Sequence, residues 1–140
     1  MPPGPGKEGS VHLSRFPELN QEYLDEALNE RWEQIWEIRA VVTKALEEAR
    51  RDKKVGLSLD AQVHLHLPEK LTLFLKPYEK ELKSIFIVSS VTLHPGGKET
   101  RAEVLRAEGG KCERCWNYEV SVGRHTQHPQ ICGRCVEAIK

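Results

Sequence analysis

The chain has 140 residues, with 21 Lys and Arg balanced by 21 Asp and Glu, so no net charge draws it onto nucleic acid or a membrane and any nucleic-acid surface has to be local. A chain of this length allows one compact domain with a moderate core plus a small satellite, burying roughly two-thirds of the surface it exposes when unfolded. No apolar run approaches the ~20 residues a spanning helix needs, and a soluble, cytoplasmic protein is expected.

Residues 1–9 mix prolines, which lack a backbone donor, with glycines, which are costly to order, and read as a flexible tail. The next stretch, 10–19, reads as a short extended segment: Pro17 biases Phe16 away from helix, and Phe16 and Leu19 are expected to pack on the next element. From Asn20 to about Lys54, the residues Leu24, Leu28, Trp32, Ile35, Ile38, Val42, Leu46 and Ala49 recur at steps of three and four, which predicts one long amphipathic helix. Asn20 can cap its start, and the acids Glu22, Asp25 and Glu26 suit the positive end of the helix dipole. Arg50, Arg51, Lys53 and Lys54 suit the negative end, and Gly56 offers a stop. Trp32 and Trp36 could form a base-stacking platform, but a helical stripe of aromatics more often belongs to a core, and core packing is the expectation here.

Ser58 to Leu67 alternates apolar and polar residues and predicts a half-buried strand, with His64 and His66 on its solvated face. Pro68 ends it. Glu69 to Leu82 carries a helical pattern that Pro77 should break near Lys76, leaving Leu71, Phe74, Leu75, Tyr78 and Leu82 along one side. The run Ile85 to Leu93 is rich in β-branched residues and predicts a buried strand in at least its second half, the first half being equally able to extend the helix. Pro95-Gly96-Gly97 marks a turn, and the weak alternation from Glu99 to Ala107 predicts an edge strand. The sum is an α+β fold: a long amphipathic helix, a small α/β layer, and a module built by the last thirty residues.

Those residues hold all four cysteines, as Cys112-Glu-Arg-Cys115 and Cys132-Gly-Arg-Cys135, sixteen residues apart. Each C-x-x-C turn aims two thiolates at one point, and two such turns can close a tetrahedron around one zinc ion. Gly133 is a candidate for the positive φ that such a turn often needs. Two disulfides would require an oxidising compartment, and the N-terminus carries no basic, apolar and cleavage-site series to send the chain there. Thioredoxin-like chemistry uses a single C-x-x-C in a βαβ setting. Four thiolates leave no open coordination position, so the expected zinc is structural and forms a four-cysteine zinc ribbon or knuckle. The chain shows no glycine-rich loop after a strand, no Ser/His/Asp set and no H-E-x-x-H, so no catalytic centre is expected.

With Lys111-Cys-Glu-Arg-Cys-Trp-Asn-Tyr118 and Ile131-Cys-Gly-Arg-Cys135 in view, the chain resembles the C-terminal region of bacterial isoleucyl-tRNA synthetases. Ser10-Val-His-Leu-Ser-Arg-Phe-Pro17, Glu30-Arg-Trp32, Arg39, Ala45 to Arg50, Leu57 to Ala61 and Ile87-Val-Ser-Ser90 resemble that family's segments in the same order. The resemblance implies that 20–56 is the helical end of an anticodon-binding domain, 57–108 a small α/β junction domain and 109–140 the zinc-binding module. It implies Cys112, Cys115, Cys132 and Cys135 as zinc ligands and places Arg114 and Trp116 close to the anticodon loop, with Arg134 beside them around the zinc. The implied partners are the anticodon stem-loop of tRNA(Ile) and the remainder of the synthetase. The family's catalytic signatures and editing domain are missing, so this chain alone is not expected to activate isoleucine. The alternative reading is a free-standing, zinc-stabilised protein-interaction module derived from the synthetase. The cation and aromatic at 114, 116 and 134 favour the RNA-binding reading, since unpaired bases are recognised by such pairs.

Overall fold

The computed structural model describes residues 10–13, 18 and 20–139; the tail at 1–9 and the packing expected of Phe16 and Leu19 lie outside them. The long helix, α1, runs over Glu26–Arg51 and begins six residues later than expected. Two good capping residues compete for its start. Asp25 takes the extended backbone of a cap, and its carboxylate accepts the Leu28 N–H at 2.8 Å. Asn20 instead caps a single 3-10 turn, Gln21–Tyr23, accepting the Glu22 N–H at 3.0 Å, and Leu24 is extended (φ −79°, ψ 120°), which interrupts the run.

At the other end Gly56 is not the stop. Lys53 enters the left-handed region at φ 57°, and the N–H groups of Lys53 and Lys54 return to the carbonyls of Arg50 (3.0 Å) and Ala49 (2.9 Å). This is a Schellman closure with lysine where glycine is usual. The Gly56 N–H serves the following turn, donating to the Asp60 carboxylate at 3.3 Å.

A 3-10 turn at Ser58–Asp60 delays the first strand, β1 (Ala61–Leu67), in which buried and half-buried residues alternate throughout as the sequence pattern requires. Two short helices follow, α2 (Glu69–Leu75) and α3 (Leu82–Phe86), separated where Pro77 lies in a 3-10 turn at Lys76–Tyr78. The apolar run from Ile85 is shared: its first residues finish α3, Ile87 turns the chain at φ 58°, and the strand β2 begins at Ser90 and ends at Pro95. β2 pairs with β1 in parallel, and β3 (Arg101–Arg106) pairs antiparallel on the other edge, giving the order β2-β1-β3.

The helices share one core with the inner face of this sheet. Ile35, Ile38, Val42, Leu46 and Ala49 of α1 meet Val63, Leu65 and Leu67 of β1, with Leu75, Leu82, Phe86 and Val88 filling the space between the elements. The N-terminal half of the helical stripe does not join them. Leu24, Leu28, Trp32 and Trp36 are exposed, at 64%, 42%, 37% and 52%, so the two tryptophans stand outside the described core, contrary to expectation. A 3.6-residue period identifies the side chains that share a face; it does not supply something to cover them.

Candidate functional site

The terminal module is a short hairpin, β4 (Gly110–Lys111) with β5 (Tyr118–Glu119), followed by a loop and one helical turn and a half, α4 (Gly133–Glu137). The first cysteine pair lies on the hairpin's tip and the second where α4 begins. The four sulfurs lie within 4.8 Å of one another, and Cys112, Cys132 and Cys135 are buried. A tetrahedral zinc with bonds of about 2.3 Å sets its sulfurs about 3.8 Å apart. Cys115 Sγ and Cys132 Sγ are 3.7 Å apart, so this edge of the set already has that spacing.

The electrostatics lead to the same ion. Burial works against ionising Cys112, but backbone N–H groups of Cys115, Cys132 and Arg114 outweigh it and bring that thiol down to about 6; among them the Cys132 N–H lies 3.3 Å from Cys112 Sγ. Cys132 goes the other way, pushed up to about 12 by burial and by the side chains of Cys135, Cys115 and Cys112. One thiolate is easy to form and another is resisted by its neighbours, a conflict that a divalent cation among them removes. The four-cysteine set is suited to one zinc ion, with no position left over for water.

Gly133 does not supply the positive φ expected of it; it is the first residue of α4. The left-handed residue is Trp116, at φ 65°, whose N–H closes the first turn on the Cys112 carbonyl at 2.8 Å. A bulky residue here costs about 1–2 kcal/mol where glycine would cost nothing. That backbone turns the Trp116 ring outward, to 61% exposure, with Lys111 Nζ 5.9 Å from its centre. Arg114 is exposed on the same turn. Arg134 is exposed too, and the neighbouring Cys115 raises its already high pKa.

Two residues that hold the module in place carry no signal in the sequence pattern. Ser89, buried between α3 and β2, accepts the Tyr118 N–H at 2.7 Å and donates to the Leu59 carbonyl at 2.6 Å, so one hydroxyl ties the hairpin to the start of the sheet. Gly109, at φ 91°, passes so close to the hairpin's other arm that an added Cβ would fall 2.4 Å from the Glu119 carbonyl carbon. A part-buried ion pair, Lys83 with Glu119 at 2.9 Å, closes the same seam.

Residues 109–138 match the family described as "Zinc finger found in FPG and IleRS". Beyond the module, the chain is similar to isoleucine–tRNA ligases: 46% identical to that of Geobacter sulfurreducens over 95% of this chain, 42% to that of Moorella thermoacetica over 94%, and 41% to that of Desulforamulus reducens over 100%. In each case the matched part is 16% of the relative's own length.

Proposed function

We propose that this chain is the C-terminal, tRNA-binding and zinc-holding segment of a cytoplasmic isoleucine–tRNA ligase, and that it supports the attachment of isoleucine to tRNA(Ile) without containing the catalytic site. In this reading 20–56 ends the anticodon-binding helices, 57–108 is the junction and 109–140 meets the anticodon stem-loop. Zinc, held by Cys112, Cys115, Cys132 and Cys135, supplies rigidity alone. Trp116 offers its open face to an unpaired base, Arg114 pairs with the base or phosphate beside it, and Lys111 adds a second cation at the ring. Arg134, exposed on α4, adds a further cation beside the zinc site.

The observation that carries the proposal is the combination at Trp116: a large aromatic in a backbone conformation that disfavours it, turned toward solvent with the Lys111 ammonium 5.9 Å from its ring centre. Strain retained at an exposed side chain is more readily explained by a ligand than by packing. Packing of the remainder of the synthetase against Leu24, Leu28, Trp32 and Trp36 would likewise account for the uncovered end of α1.

A stacked base is worth roughly 1–3 kcal/mol, so Trp116→Ala should weaken binding to an anticodon stem-loop by about 5- to 150-fold, with zinc content unchanged. Fluorescence anisotropy with the labelled stem-loop measures it. Equal affinities for the two proteins would remove the RNA-binding role and leave the interaction-module reading.

A further inference from the structure

The four sulfurs of the terminal module are not equally sheltered. Cys112, Cys132 and Cys135 are at most 1% exposed, whereas Cys115 is only half-buried. It lies between two exposed residues, Arg114 and Trp116, on the turn that the Trp116 N–H closes. Its surroundings are cationic: Lys111 and Arg114 outnumber Glu113, the one acid between 111 and 118, and Cys115 is the first cause of the raised pKa of Arg134. Across the site, Cys132 Sγ lies 3.7 Å from Cys115 Sγ.

A partly exposed thiolate among cations, with a second cysteine beside it, is the setting in which oxidation becomes selective. We infer that Cys115 is a modification site for hydrogen peroxide and small hydroperoxides, that Cys132 resolves the oxidised sulfur, and that the resulting disulfide unloads zinc from the module. A cysteine that ligates zinc is already deprotonated, so Cys115 needs no base to become a nucleophile. A transient bridge of this kind does not require the oxidising compartment that two resident disulfides would.

Cys115 Sγ attacks one peroxide oxygen. The S–O bond forms as the O–O bond breaks, two electrons pass from sulfur to peroxide, and hydroxide leaves and takes a proton from solvent, so that Cys115 becomes the sulfenic acid. The Cys132 thiolate then attacks that sulfur; the S–S bond forms, the S–O bond breaks, and a second hydroxide leaves. A disulfide bond of about 2.05 Å asks the two sulfurs to approach by less than about 2 Å. It removes two of the four donors, one from each C-x-x-C turn, and leaves Cys112 and Cys135 without the set that holds the ion. Attack by a dithiol reopens the bridge, so the loss is reversible.

The test treats the zinc-loaded full chain with hydrogen peroxide, follows zinc with a chromogenic chelator, and maps the cysteines by mass spectrometry after tryptic digestion. Cleavage after Lys111, Arg114, Arg124 and Arg134 places each cysteine on its own peptide. With dimedone present to trap sulfenic acid, the first adduct is expected on peptide 115–124. Without it, peptide 115–124 should be joined to 125–134, with one zinc released per disulfide and zinc binding restored by a dithiol. Both readings are made on the unsubstituted protein and do not depend on any variant folding. Cys115→His keeps four ligands, since three cysteines and a histidine also hold structural zinc, and should slow peroxide-driven release at least about tenfold, the three remaining thiolates being buried. A first adduct on another peptide, a disulfide within either C-x-x-C pair, release from Cys115→His as fast as from the unsubstituted protein, or a chain that keeps its zinc and all four thiols in peroxide would each overturn the assignment.

Discussion

The body that ends at Ala107 and the module that begins at Gly109 are joined through one residue and a shared seam, yet each is held together by different chemistry. The body excludes water with a continuous apolar cluster running from Ile35 on α1 through Leu65 at the centre of the sheet to Val104 on β3. The module's cluster is three buried cysteines with Cys115, Val122 and Ile131 around them. A hairpin of two-residue strands and a five-residue helix cannot bury enough apolar surface to offset the entropy of ordering it, whereas four sulfurs around one ion can. Folding is thus expected to be metal-independent in one region and metal-dependent in the other, within a single chain.

Removing the metal separates the two most sharply. Structural zinc in small modules is worth roughly 10–16 kcal/mol, so a chelator, or Cys132→Ser, should abolish the module's amide dispersion from Gly109 onward while β1, β2 and α1 keep theirs. Two-dimensional NMR before and after chelation decides the matter; loss of the body's signals as well would mean that the core does not stand alone.

The seam comes next in size. Ser89→Ala removes the acceptor for Tyr118 N–H and the donor for the Leu59 carbonyl, each partner left unsatisfied costing about 1–3 kcal/mol. Hydrogen exchange at Tyr118 should accelerate by one to several powers of ten, with zinc stoichiometry unaltered. Were the module to loosen its zinc instead, the hydroxyl would belong to the metal site rather than to the seam.

The smallest effect is expected at Trp32. A buried tryptophan cut back to alanine costs about 3–5 kcal/mol, but this ring is exposed and meets Trp36 at a 35° tilt with centres 5.7 Å apart, so Trp32→Ala should lower the stability of this chain by no more than about 1 kcal/mol. Urea denaturation of the body measures it. A loss of several kcal/mol would show that the exposed end of α1 is covered in solution.

Legibility in the sequence divides along similar lines. The alternation of β1, the break at Pro77 and the buried C-terminal half of α1 were legible because periodicity and proline act locally. The cysteine spacing was legible because thiolate chemistry leaves few alternatives. The start of α1 was not, since Asn20 and Asp25 are both competent caps and only the extended backbone at Leu24 decides between them. Trp116 and Gly133 exchanged roles for a similar reason: a left-handed residue is recognised in a sequence by glycine, and here the turn places a tryptophan there. Ser89 was hidden because a hydroxyl's partners, 29 and 30 residues away, leave no local trace.

Under the proposed RNA-binding role, the left-handed tryptophan sets thermal robustness and recognition against each other at one position. Glycine at 116 would relax the knuckle and remove the platform in the same substitution. Variants of this protein chosen only for heat tolerance would therefore be expected to collect glycine or asparagine at 116, and with it a sturdier zinc module without the exposed indole.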